Sequence, residues 1–90
     1  MMSKRQFERI ARALAEPRRV DILKEVGTWE KPRPCNTLFE LQHISAPTLS
    51  HHVKELETAG LLQVVKEGKF LNLRLNRRAL REYAERLAQL

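Results

Sequence analysis

The apolar residues of this chain change their spacing at Gly60, and that change limits what the chain can fold into. Before Gly60 they recur every three or four positions, as Phe7, Ile10, Ala11 and Leu14, then Val20, Ile22, Leu23 and Val26, then Leu49, Val53 and Leu56. That spacing lines one face of an α-helix. After Gly60 the pattern alternates: Leu62 and Val64 with Gln63 and Val65, then Leu71, Leu73 and Leu75 with Asn72 and Arg74. Alternation is the signature of a strand with one buried face. The helical period then returns in Leu80, Tyr83, Leu87 and Leu90.

Caps and breakers divide these stripes into elements. Ser3-Lys4-Arg5-Gln6 is a Ser-x-x-Gln capping box at a helix start. Pro17 stops the first helix and suits the first turn of the second, which Gly27 closes as a C′ residue. Residues 28–34 read as a loop marked by Pro32-Arg33-Pro34, and a short third helix with Leu38 and Leu41 begins near Asn36. After a tight connection through His43-Ile44, Ser45 caps a fourth helix that runs to about Ala59 and ends at Gly60. Lys66-Glu67-Gly68-Lys69 is a tight hairpin turn with Gly68 at the positive-φ position. Asn76 caps the last helix, whose exposed side carries Arg78–Glu82, Arg81–Glu85 and Glu82–Arg86 at i, i+4. The order α-α-α-α-β-β-α is mainly α with a small β-hairpin. It is the order of a winged helix-turn-helix occupying residues 1–90 as one domain, with an added helix at each end.

A chain of 90 residues buries a modest core and often leans on oligomerisation. It has too little bulk to enclose a large substrate pocket and also support it. No Gly-rich phosphate loop, paired-carboxylate cleft or nucleophile–base arrangement appears in it, so the sequence reads as a binding protein and not an enzyme. Seventeen Lys and Arg against eleven Asp and Glu leave a formal charge of +6. A surplus of that size favours phosphate through Coulomb attraction and counterion release. The single cysteine, Cys35, excludes an internal disulfide framework and fits a reducing cytoplasm. No run approaches a membrane span, and no secretory h-region follows the first residues, so a cytoplasmic location is expected with no membrane partner.

On the fourth helix, a turn of about 100° per residue sets Pro47, Ser50, His51 and Lys54 opposite Leu49, Val53 and Leu56, with Thr48 beside them and Ser45 and Ala46 at the N-terminal end. Small hydroxyls, an imidazole and an ammonium suit base edges and phosphates in a major groove. The same residues also suit a plain solvated face. Lys66 and Lys69 flank the hairpin turn, where they would meet a phosphate backbone or minor groove, or simply protect an edge strand. Charge, helix pair and basic hairpin together point to double-stranded DNA. A winged-helix module for protein or RNA contact is the alternative, and Glu55 and Glu57 on the fourth helix lean that way.

Cys35 has two readings. Near a helix start and close to Arg33 its thiol would be activated and redox-sensitive; packed under the third helix it would be an inert small apolar residue. His52 leans to the core side of its helix, where a hydrogen-bonded packing role is expected. His43 sits in the turn, and Trp29 lies in the loop among charged residues.

Two long runs resemble the ArsR/SmtB family of repressors. Ala13-Leu14-Ala15-Glu16-Pro17-Arg18-Arg19-Val20-Asp21-Ile22-Leu23 is similar to its opening motif, and Ile44-Ser45-Ala46-Pro47-Thr48-Leu49-Ser50-His51-His52-Val53-Lys54-Glu55-Leu56 to its recognition helix. Ala59-Gly60-Leu61-Leu62 and Lys66-Glu67-Gly68-Lys69 resemble the helix exit and the wing. The resemblance implies a homodimer formed by the first and last helices, bound to a near-palindromic operator and released by a signal. Phe7, Ile10 and Leu14 on one helix and Leu80, Tyr83 and Leu87 on the other are the matching apolar stripes. Many members also sense metals, but the ligands for that are missing here. The Cys-x-Cys pair is reduced to Pro34-Cys35-Asn36, and residues 79–90 contain neither His nor Asp. Adjacent His51 and His52 point about 100° apart and cannot chelate together. Neither a metal nor any other cofactor is expected.

Overall fold

The computed structural model describes residues 2–28, 31, 33–34 and 44–90. The elements are α1 (Lys4–Leu14), α2 (Pro17–Gly27), β1 (Arg33–Pro34), α3 (Ala46–Thr58), β2 (Leu62–Glu67), β3 (Phe70–Leu75) and α4 (Arg77–Ala88). The expected short helix with Leu38 and Leu41, the turn at His43, and Trp29 and Cys35 lie outside the described residues. The helix expected between Ser45 and Ala59 is α3.

The helix starts follow the caps. Ser3 Oγ accepts from the Gln6 backbone N–H at 3.0 Å, so the serine half of the capping box is formed. The glutamine half is not: Gln6 Nε2 donates instead to the Ala59 carbonyl at 3.4 Å, tying the start of α1 to the end of α3. Pro17 stands in the first turn of α2 behind a Glu16 cap. Asn76 Oδ1 accepts from the Ala79 N–H at 3.2 Å and opens α4.

Helices α2 and α3 pack on the sheet, α1 packs on both of them, and their buried stripes meet in one core. Ile10, Ile22, Leu49, Leu56, Leu61 and Leu73 are the largest fully buried side chains. The α1 stripe runs through Phe7, Ile10, Ala13 and Leu14; Ala11, expected on it, lies on its flank and is exposed. Gly27 differs from expectation as well. It is the last residue of α2 rather than a left-handed residue beyond it, and Thr28 is the cap with φ −76°. What Gly27 permits is close packing, because a Cβ there would stand 3.1 Å from Leu75 Cδ2.

The sheet has the order β1-β3-β2 and is antiparallel throughout. Leu62 faces Leu75, Val64 faces Leu73, and Glu67 faces Phe70, which leaves Gly68-Lys69 as a two-residue connection. Gly68 takes φ +59° as the turn requires. The end of the expected 28–34 loop is a short strand: Arg33 and Pro34 pair with Leu73 and Asn72. Proline has no N–H to give to a ladder, and the edge position of β1 is where a sheet tolerates it.

Helix α4 is the least embedded. Only Ala79 is buried on it, Leu80 and Tyr83 are half-buried, and Leu87 is 43% exposed. It meets α1 through side chains, with the Phe7 and Tyr83 rings 5.0 Å apart and the Arg86 guanidinium 4.7 Å over the Phe7 ring. Arg86 also donates to the Met2 carbonyl at 3.0 Å, so it turns to α1 and not to Glu82. Of the three expected i, i+4 pairs, Arg78–Glu82 closes, at 3.2 Å. Among the described residues no helix is long and apolar enough to cross a membrane.

Candidate nucleic-acid interface

The outer face of α3 begins with a tightly fixed first turn. Ser45 Oγ accepts from the Thr48 N–H at 3.4 Å and lies 2.9 Å from Thr48 Oγ1, while Pro47 occupies a position where no N–H is needed. Ser45, Ala46, Pro47, Thr48, Ser50, His51 and Lys54 are all exposed. Across the helix from Pro47, Ser50, His51 and Lys54, the residues Leu49, Val53 and Leu56 are buried. The sequence expectation of a polar face opposite an apolar one therefore holds residue by residue along this helix.

Three connections hold the helix in place. At its C-terminus the Leu61 N–H reaches the Leu56 carbonyl at 3.0 Å and the Gly60 N–H reaches Glu57 at 2.9 Å. With Gly60 at φ +83° this is a Schellman ending, and Leu56 and Leu61 are both fully buried beneath it. Asn76 then fastens that ending to α4: its N–H donates to the Leu61 carbonyl at 2.8 Å and its Nδ2 to the Gly60 carbonyl at 2.9 Å. On the other side, Arg19 Nε of α2 donates to His52 Nδ1 at 3.1 Å.

His52 is buried, as its inward lean implied, and is the one buried polar side chain among the described residues. Acceptance at Nδ1 requires the neutral imidazole with its proton on Nε2. Burial pushes its pKa below the ordinary imidazole value, and the neighbouring Arg19 charge pushes the same way, against a smaller opposing pull from Glu16. The His51 and His52 rings lie 5.9 Å apart and tilted by 49°. Among the described residues no three His, Cys, Asp or Glu side chains gather closely enough to hold a metal ion.

On the hairpin, Lys66 lies in β2 opposite Leu71, Lys69 lies in the turn, and both are exposed. Two residues there were missed in the sequence. Phe70 is 62% exposed and Leu71 44% exposed, so the wing carries an apolar tip beside its lysines. Alternation in β3 extends past the core, and a strand outrunning its core exposes both faces, which no local pattern announces. Arg18 was missed too: it is exposed on the first turn of α2 and close enough to act electrostatically on His52 of α3. Its signal was the Pro17-Arg18-Arg19 run at a helix start. Of the stripes expected to dimerise, Phe7, Leu14, Leu80 and Tyr83 are half-buried and Leu87 exposed, whereas Ile10 has no exposure. Ile10 belongs to the internal core and offers a partner nothing, a correction that follows from its place at the centre of the α1 stripe.

Comparison with protein-family models and with curated proteins gives no match. Solved structures do match. An ArsR-like transcriptional regulator from Rhodococcus sp. RHA1 superposes with a TM-score of 0.80 at 23% identity, covering 93% of this chain and 77% of that one. A crystal structure of another ArsR family transcriptional regulator gives 0.84 at 23% identity, covering 93% and 90%. The solution structure of a homodimeric winged helix-turn-helix DNA-binding domain from Mycobacterium bovis, described as a possible ArsR-family regulator, gives 0.76 at 25% identity, covering 99% and 85%. The fold this chain shares with these solved structures is the winged helix-turn-helix, with β2–β3 as its two-stranded hairpin.

Proposed function

We propose that this chain is a sequence-specific DNA-binding transcriptional regulator of the ArsR type, acting as a homodimeric repressor on a near-palindromic operator. The observation that carries this reading is the outer face of α3, where Pro47, Ser50, His51 and Lys54 are exposed together while the opposite stripe is buried. Lys66 and Lys69 of the wing extend the same basic, hydroxyl-bearing character, and the formal charge of +6 supplies the long-range attraction. Ser50 and His51 are assigned to base edges, Lys54, Lys66 and Lys69 to phosphates. The dimer forms through α1 and α4, whose Phe7, Leu14, Tyr83 and Leu87 leave apolar surface uncovered in the single chain. Such a protein binds rather than catalyses and works in the cytoplasm. The sequence around Cys35 and residues 79–90 supports a release signal other than a metal ion.

Exposed Glu55 and Glu57 on the far half of α3 favour a second reading, a winged helix that contacts protein or RNA. Fluorescence anisotropy with a random DNA duplex and an RNA duplex over a range of salt concentrations separates the two. Operator-type binding gives DNA affinity that falls steeply with salt. Absence of any salt-dependent DNA binding overturns the proposal.

A further inference from the structure

A hollow of about 400 Å³ opens where the start of α1 meets the end of α3, lined by Ser3, Arg5, Gln6, Arg9, Thr58 and Gly60. Among the described residues no carboxylate and no apolar side chain lines it. Gln6 and Gly60 meet there: Gln6 Nε2 bonds the Ala59 carbonyl, and a Cβ on Gly60 would stand 2.7 Å from that nitrogen. Arg5 and Arg9, four positions apart on α1, lie one helical turn from each other, and both are exposed. Among the described residues neither guanidinium bonds a carboxylate, and Glu8 of α1 does not line the hollow. Ser3 Oγ accepts from the Gln6 N–H and keeps its own O–H to donate, and Thr58 supplies a second hydroxyl.

We infer that this hollow is a binding site for an oxyanion of the phosphate class. Like charges one helical turn apart repel and weaken a helix. Helix α1 nevertheless carries Lys4, Arg5, Arg9 and Arg12 against Glu8, whereas α3 carries Lys54 against Glu55 and Glu57. The positive surplus is therefore greater on α1 than on the helix assigned to base edges. At about 100° per residue Arg5 and Arg9 lie across α1 from Phe7 and Leu14, so a partner copy seated on that apolar stripe leaves them open. A doubly charged group with three or more oxygens answers both guanidinium groups at once and removes their repulsion, while a carboxylate answers one. An apolar molecule finds no apolar wall in the hollow, and a cation is repelled. The phosphate group belongs either to a free phosphorylated molecule or to a nucleic-acid backbone, and the donors it needs are the same. The binding itself does not rest on the DNA-binding reading.

The test titrates the ¹⁵N-labelled full chain, without DNA and at constant ionic strength, with pyrophosphate, inorganic phosphate and acetate. Pyrophosphate and phosphate are expected to shift the amides of Gln6, Thr58 and Gly60 together with the side-chain N–H signals of Arg5 and Arg9. Acetate is expected to bind at least about tenfold more weakly than pyrophosphate, the scale of one charge-assisted hydrogen bond. Arg5→Gln and Arg9→Gln, both at exposed positions, should each weaken pyrophosphate about tenfold with an unchanged circular dichroism spectrum. Arg81→Gln, exposed on α4, should leave its affinity unaltered. Acetate that binds as tightly as pyrophosphate, shifts of equal size along the wing and α4, or Arg5 and Arg9 variants with wild-type affinity overturn the inference. A second titration adds a random DNA duplex to the pyrophosphate complex. Displacement of pyrophosphate supports the site and assigns it to a nucleic-acid backbone; retention beside the bound duplex supports it and assigns it to a free phosphorylated molecule. A chain that binds pyrophosphate at Arg5 and Arg9 but no DNA refutes the DNA-binding proposal and leaves this site standing.

Discussion

Arg19 Nε donates to His52 Nδ1 at 3.1 Å and so joins α2 to the inner side of α3, directly behind the exposed His51. The bond exists only while His52 is neutral. Its folded-state pKa is lowered, chiefly by burial, so between that value and the unfolded value near 6.5 the unfolded chain holds more protons. The associated stability is complete above the unfolded pKa and is lost as pH falls through the folded one. Urea unfolding at about pH 7.5 and about pH 5.5 should show wild type losing more stability on acidification than His52→Gln, which has nothing to protonate there. Equal losses would mean that the other two histidines set the profile. Arg19→Ala should cost about 1–2 kcal/mol at neutral pH, the scale of a half-buried nitrogen left without its partner.

Gly60 and Gly68 both have positive φ, +83° and +59°, but their surroundings differ. A Cβ on Gly60 would stand 2.7 Å from Gln6 Nε2, whereas nothing lies within 4 Å of one on Gly68. Gly68→Ala should therefore cost only the left-handed backbone term, about 1–2 kcal/mol. Gly60→Ala should cost more, about 2–3 kcal/mol, because it also displaces the Gln6 bond to Ala59. Thermal unfolding of the two variants ranks them. A Gly68 variant less stable than the Gly60 variant would contradict the assignment.

Features set by one segment's own spacing were legible in the sequence. Leu49, Val53 and Leu56 appear inward, and Ser50, His51 and Lys54 outward, because a helix fixes both faces at once. The caps at Ser45 and Asn76 and the turn at Gly68 are equally local. What failed depended on a distant partner. Gln6 leaves its capping box because Ala59 offers a carbonyl 53 positions away, and Gly27 is needed for Leu75 rather than for its own helix end. Pro34 pairs with Asn72 only because β3 has a free edge there. Ile10 looked like one member of a surface stripe, yet a stripe about 100° wide has a centre that sinks and margins that stay reachable. Arg19 and His52 were each visible, but their bond was not, since nothing in either segment names the other.

The margins of α1 and α4 are where a partner copy would sit. Leu87 is 43% exposed, so Leu87→Asp should leave the single chain's core intact and weaken self-association by at least about tenfold, the scale of an apolar contact replaced by a buried charge. Leu80→Asp lies against the core and should lower thermal stability as well. Sedimentation equilibrium with circular dichroism separates the two effects. A monomeric wild type at micromolar concentration would remove the dimer from the proposed function.

Reading and anchoring separate by position on the proposed DNA surface. Ser50 and His51 lie in the N-terminal half of α3, the part of a recognition helix that enters the major groove, and both are exposed, so alanine there should leave the fold unchanged. Lys66 and Lys69 lie on the wing, away from the helix. A base contact sets discrimination, while a phosphate contact sets affinity whatever the sequence. Ser50→Ala or His51→Ala should cost about 1–3 kcal/mol on the preferred operator and much less on random DNA. Lys66→Ala and Lys69→Ala should weaken both about equally, and each lost phosphate contact should lower the salt slope by about 0.9 per subunit. A two-fold dimer presents every change twice, so the effects should appear in two half-sites about 34 Å apart or a multiple of that. Binding of each variant to operator and random duplex at several salt concentrations measures all of this. Ser50 and His51 variants that keep wild-type operator affinity would show that α3 is not the reader, and lysine variants that alter only operator binding would show that the wing reads sequence instead of gripping the backbone.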